Sequence, residues 1–166
     1  METTFTASSG QRGPAEHERR EQIIRAADEH FRHYGYAKTT VADLAKAIGV
    51  SAAYVYRFFE SKQAIGEAVC AMTLAHIDDE LLGIANDPKR SAADRLRALY
   101  RCLADRGIEL FFKERRLHDL VTAAVEGRFP SVMRHKQVML EAATRVVESR
   151  RRRRRFRAGP SKEGQR

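Results

Sequence analysis

Apolar residues recur at helical spacing through most of this chain, and no stretch shows the alternation of a half-buried strand. Ile23, Ile24, Ala27, Phe31 and Tyr34 predict a first helix from about Glu16, ended by Gly35 as a C-cap. Thr40-Val41-Ala42-Asp43 reads as a capping box opening a second helix. Ser51 caps a short third one, and Ser61 caps a long fourth helix to about Ala85 carrying Ile65, Val69, Met72, Ile77, Leu81 and Ile84. Asn86-Asp87-Pro88 breaks the pattern. Ser91–Asp94 is a second capping box, before Leu96, Leu99, Leu103, Leu110 and Phe111, with Gly107 as a weak point. A short helix over about 117–126 follows, then Gly127-Arg128-Phe129-Pro130. Ser131 opens a last helix with Val132, Met139, Ala143, Val146 and Val147. The fold class expected is therefore all-α, with about seven helices.

The segment 39–62, TTVADLAKAIGVSAAYVYRFFESK, carries the most chemistry. Two short helices are joined by a turn at Gly49, where a positive φ comes easily to glycine. Leu44, Ala45, Ile48, Val50, Val55 and Phe58 are the expected inward positions, with Ala45 small where the helices cross. Ser51, Ala52, Ala53, Tyr54, Tyr56 and Arg57 are expected outward. That short polar-aromatic face suits entry into a DNA major groove.

Charge changes the picture less than the total suggests. The formal net charge is +9, but residues 150–166 hold nine Lys/Arg and one Glu. DNA binding by residues 1–62, nine basic against eight acidic, must rest on where charges stand, not on excess. The six-arginine run Arg150–Arg155 is too dense in like charge to fold except as a fraying continuation of the last helix. Three readings of it stay open: nucleic-acid contact through counterion release, an anionic membrane surface, or an unselected tail. Cys70 and Cys102 are isolated in apolar segments and read as small buried hydrophobes of a reducing cytoplasm. No run is apolar enough to span a bilayer, and the first residues lack the pattern of a signal peptide. A cytoplasmic protein without membrane association is expected. His30 with His33, and His76 with Glu80, share helix faces, but no further ligand completes a metal set. Neither a nucleophilic triad nor a phosphate loop occurs, so neither an enzyme nor a cofactor is expected.

Residues from about Glu18 to Ala68 resemble the tetracycline-repressor (TetR) family of transcriptional regulators. The resemblance is carried by Phe31, Gly35, Tyr36, Thr39, Thr40, Val41, Asp43, Leu44, Ala45, Ala47, Gly49, Val50, Ser51, Tyr56, Arg57, Phe59, Ser61 and Lys62. It implies an N-terminal three-helix helix-turn-helix domain and a C-terminal helical ligand and dimerisation domain. The expected division is 1–15 as a disordered arm, 16–62 as the DNA-binding domain, 63–149 as the regulatory domain and 150–166 as a disordered basic tail. Thr40, Lys62 and Tyr56 align with phosphate-contacting positions, and Ser51, Ala52, Ala53 and Tyr54 with the start of the recognition helix. The expected DNA contacts are thus Thr39, Thr40, Ser51, Ala52, Ala53, Tyr54, Tyr56, Arg57 and Lys62. Ala52 stands where the family often has Lys or another polar residue, leaving methyl groups to meet thymine.

The resemblance also implies a double-stranded operator, a homodimer and a small effector whose binding releases DNA. Tyr100, Phe111, Phe112, His118 and Phe129 are the candidate lining of an effector cavity. Family members usually carry nine helices, the last two forming the dimer interface. Here the apolar pattern stops near Val147, so the C-terminal domain looks truncated. The alternative is accordingly a truncated DNA-binding or interaction protein without dimerisation or effector response.

Overall fold

The computed structural model describes residues 12–110 and 118–157. Seven helices run through these residues, and none of them forms a strand: α1 (Arg12–Tyr34), α2 (Val41–Ala47), α3 (Ala52–Val55), α4 (Lys62–Asn86), α5 (Ala92–Ile108), α6 (His118–Glu126) and α7 (Pro130–Arg157).

The caps fall where the sequence places them, because capping is a local affair. Thr40 accepts from the Asp43 amide at 3.2 Å, and its own amide donates to the Asp43 carboxylate at 2.8 Å, a complete capping box. Ser51 accepts from the Tyr54 amide and Ser61 from the Ala64 amide, both at 3.1 Å. At Ser91 the hydroxyl accepts from the Asp94 amide and donates to the Asp94 carboxylate.

Several boundaries differ from expectation. The first helix begins at Arg12, not near Glu16, so residues 12–15 of the expected arm are helical. Pro14 is tolerated there because a first-turn amide has no intrahelical acceptor to lose. At the other end α7 runs on to Arg157, so part of the expected basic tail is helix. Residues 1–11 and 158–166 lie outside the described residues.

Two cores form. The first joins α1, α2 and α3 through Ile23, Ala27, Phe31, Leu44, Val55 and Phe59 to the first half of α4, Ile65 and Val69, and to Leu120, Ala124 and Phe129 from α6 and its turn. The N-terminal head therefore packs across residue 62 rather than ending there. The second core lies further along α4, where Leu81 and Ala85 meet Leu99 and Cys102 of α5 and Ala142 and Val146 of α7. Cys70 and Cys102 are free thiols, one in each core, as their apolar setting implies.

α7 lies along α4 and points the same way. Ser131 donates its amide and hydroxyl to Glu67, His135 meets Asp78, and Arg145 donates to Asn86. The partners advance together along both helices. Arg95 closes the far end, donating to the Ala85 carbonyl at 2.7 Å and to the Ser149 hydroxyl at 2.6 Å. α4 has 25 residues and so spans about 37 Å. The C-terminal end of α7 therefore stands at the opposite end of the molecule from the head.

Candidate nucleic-acid interface

The helix-turn-helix is built by its turn. Gly49 takes φ 70°, its amide reaches the Lys46 carbonyl at 3.2 Å, and the Val50 amide reaches the Ala45 carbonyl at 2.9 Å. This crossed pair of bonds is a Schellman motif, and only glycine holds its left-handed position without strain. The next residue after Val50 is the Ser51 cap, so α3 starts at once. α3 is only four residues long and ends at Tyr56.

That brevity corrects the inward assignment. Leu44, Ala45 and Val55 are buried, but Ile48, Val50 and Phe58 are half-buried, and Phe59 enters the core in place of Phe58. A helical period carried past Tyr56 selects Phe58. The chain has by then left the helix, so the phase advances by one residue.

The expected contact residues divide into three groups. Ser51, Ala53, Tyr56 and Arg57 are exposed, Tyr56 at 52%. Arg57 lays its guanidinium 5.6 Å from the centre of the Tyr54 ring, and Tyr54 packs on Phe58 at 5.3 Å. Tyr54 is thereby held half-buried, as a support for Arg57. Ala52 is half-buried and packs against the first core.

Thr39 does not belong to the surface. It is 2% exposed, and its hydroxyl donates to the Gly35 carbonyl at 2.8 Å. Its neighbour Thr40 is exposed, with its hydroxyl donating to Asp43 at 2.6 Å. The Thr40 bonds hold the Asp43 carboxyl below the usual carboxylate range. Lys62 is half-buried; its ammonium sits 4.5 Å over the Tyr36 ring and donates to the Ala37 carbonyl at 3.2 Å. Burial pushes its pKa down. Lys62 thus ties the turn after α1 to the start of α4.

Lys38 and Lys46 were not singled out by sequence. Both are exposed and line a crevice of about 880 Å³ between α1, α2 and α6, with His30, His33, Tyr34, Asp43 and Asp119. Balanced charge in the head hides such residues from composition.

Residues 23–69 match the family model described as "Bacterial regulatory proteins, tetR family". The N-terminal head carries a tetR-family domain. No curated protein matches the sequence. Among solved structures, the chain is similar to a transcriptional regulator of the TetR/AcrR family from Thermobifida fusca YX-ER1. The TM-score is 0.52 at 24% identity, over 80% of this chain and 72% of that one. At that identity the likeness is one of fold. It extends beyond the tetR-matched segment, which ends inside α4.

The candidate effector residues do not converge. Tyr100 is mostly exposed on α5, whereas Phe129 is buried in the first core beside the head. His118 is the first residue of α6, and Phe111 and Phe112 lie outside the described residues. A different cavity, of about 390 Å³, opens between α1, α4 and α5. Met72, Ile77 and Leu110 give it an apolar part, and Asp28, Arg32, Glu80 and Arg106 a charged one. Arg32 pairs with Asp28 and Arg106 with Glu80, each at 2.9 Å. Among the described residues no group of three or more His, Cys, Asp or Glu side chains could hold a metal ion, and no helix is long and apolar enough to cross a membrane.

Proposed function

We propose that this chain is a one-component transcriptional regulator that binds a palindromic operator as a pair of copies and represses from it. The reading is carried by one observation: Ser51, Ala53, Tyr56 and Arg57 stand exposed on a rigidly capped helix-turn-helix inside the tetR-matched segment. Tyr56 offers a hydroxyl and Arg57 a guanidinium to phosphates, while Ser51 and Ala53 present small groups to base edges. Two such heads need a separation of about 34–36 Å to meet successive major grooves.

The cavity between α1, α4 and α5 supports release by a small effector. A ligand there touches α1 of the head and both long helices of the second core at once. It favours release only through unequal affinity for the bound and free arrangements. Footprinting on the DNA flanking the gene tests the reading. A protected palindrome that Ala53→Glu abolishes supports it; a footprint unchanged by that substitution overturns it.

A further inference from the structure

We propose that the outward face of α7 pairs, parallel and in register, with the same face of a second copy of this chain. The proposal rests on the operator-binding reading only for the orientation of the pair; the surface itself is an independent observation.

α7 carries apolar residues on two faces. Ala142 and Val146 are buried in the second core, and His135 and Ser149 on the same side bond to Asp78 and Arg95. On the opposite side Met133, Leu140 and Val147 are exposed by 39%, 69% and 42%. These three are seven residues apart, and Gln137 and Thr144, also exposed, fill the intervening positions. The stripe 133–137–140–144–147 is a 4-3-4-3 spacing, the repeat that keeps one seam facing another helix over several turns. A surface of solvated single apolar residues carries no such phase.

Charge supports a second copy as the occupant. In a parallel pair, the position preceding one seam residue faces the position five further along in the partner. That places Lys136 opposite the partner subunit's Glu141, twice by symmetry, and both residues are exposed. Gln137 and Thr144 then each meet their own counterpart inside the seam. The amide-to-amide and hydroxyl-to-hydroxyl matches are lost in any other register, and such polar seam positions fix register at some cost in affinity. Orientation follows from the fold. α7 runs from the head to the distal end, so a twofold axis that brings two heads onto one stretch of DNA leaves the two α7 helices parallel. An antiparallel pair puts the heads at opposite ends.

The test uses the full chain without DNA, so its outcome is separate from that of the operator reading. Met133→Cys should oxidise to a disulfide-linked dimer, because only parallel, in-register packing sets residue 133 against itself. A mixture of Met133→Cys and Val147→Cys chains should give like-with-like links and little mixed product. The native thiols are buried in the two cores and leave the readout clean. Leu140→Glu should weaken association at least tenfold in sedimentation with unchanged helix content. Lys136→Glu should weaken it, and Lys136→Glu with Glu141→Lys should restore it. Absence of the 133–133 link, a predominance of mixed 133–147 links, or wild-type association in Leu140→Glu would each overturn the proposal.

Discussion

The hydroxyl of Thr39 points inward, to the carbonyl of Gly35 at 2.8 Å, while its neighbour Thr40 faces solvent and caps α2. Two adjacent threonines with the same side chain thus do different work. Thr39→Val keeps the shape and removes one buried hydrogen bond. It should lower stability by about 1 kcal/mol, the typical net contribution of such a bond. DNA affinity of the folded protein should not change at matched salt. A variant of native stability with weakened binding would return Thr39 to the contact surface.

Tyr56→Phe is the converse experiment. The ring is half exposed and caps the end of a four-residue helix through its backbone alone. Losing the hydroxyl should weaken operator binding by about 1 kcal/mol, roughly fivefold, and leave the melting temperature in place. Equal affinities by titration at one salt concentration would remove the hydroxyl from the phosphate contacts.

These two residues mark how far sequence reasoning reaches. The caps at Thr40, Ser51 and Ser61 and the Gly49 turn were legible because each depends on a few consecutive residues. The burial of Thr39 was not, since its acceptor is supplied by the bend after α1. Phe59 escaped for a different reason: a 3.6-residue period continues on paper past Tyr56, where the helix has stopped. Tyr100 and Phe129 looked like partners in one cavity. Their separation is set by how α5 and α6 pack on α4, and no local pattern encodes it.

Arg128 holds a left-handed backbone, φ 49°, at the end of α6. Its amide reaches the Val125 carbonyl, and that of Phe129 reaches the Ala124 carbonyl at 2.9 Å, the same crossed pair seen at Gly49. The available glycine stands one position early, at Gly127. A left-handed non-glycine residue costs about 1–2 kcal/mol, part of which glycine gives back as chain entropy. Arg128→Gly should therefore raise stability by about 0.5–1 kcal/mol in denaturant unfolding. A loss of stability would mean that the Arg128 side chain does more than the backbone costs.

Burial, with Glu67 nearby, pushes the Cys70 thiol up to about 12 from its ordinary 9.0. Below pH 9 the folded and unfolded chains both keep this proton. Between 9 and 12 the unfolded chain releases it and the folded one does not, so this group makes stability fall as pH rises through that window. The denaturation midpoint of Cys70→Ala should decline less steeply over the same range than that of the native chain. Parallel declines would assign the pH dependence to other groups.

The arginine run offers the sharpest contrast between composition and structure. By sequence it is the strongest candidate for non-specific DNA contact. By position it is the continuation of α7 beyond Ser149, which bonds Arg95 at the distal end of α4. Eighteen residues separate Ser131 from Ser149, about 27 Å of helix, and Arg157 lies about 12 Å further on. Charges at that distance from the head are several screening lengths away at physiological salt, where the length is about 8 Å. If the run touched operator phosphates, each contact would add about −0.9 to the slope of log K against log salt. Cutting the chain after Ser149 would then make the slope shallower by several units. The direction of α7 predicts otherwise. In the disulfide-linked Met133→Cys dimer, where assembly no longer contributes, truncation should change the slope by less than one unit. In the unlinked chain the same cut should strengthen association at low salt, because parallel α7 helices bring two runs of six arginines side by side. A slope that flattens by several units in the linked dimer would show the tail reaching back to the DNA.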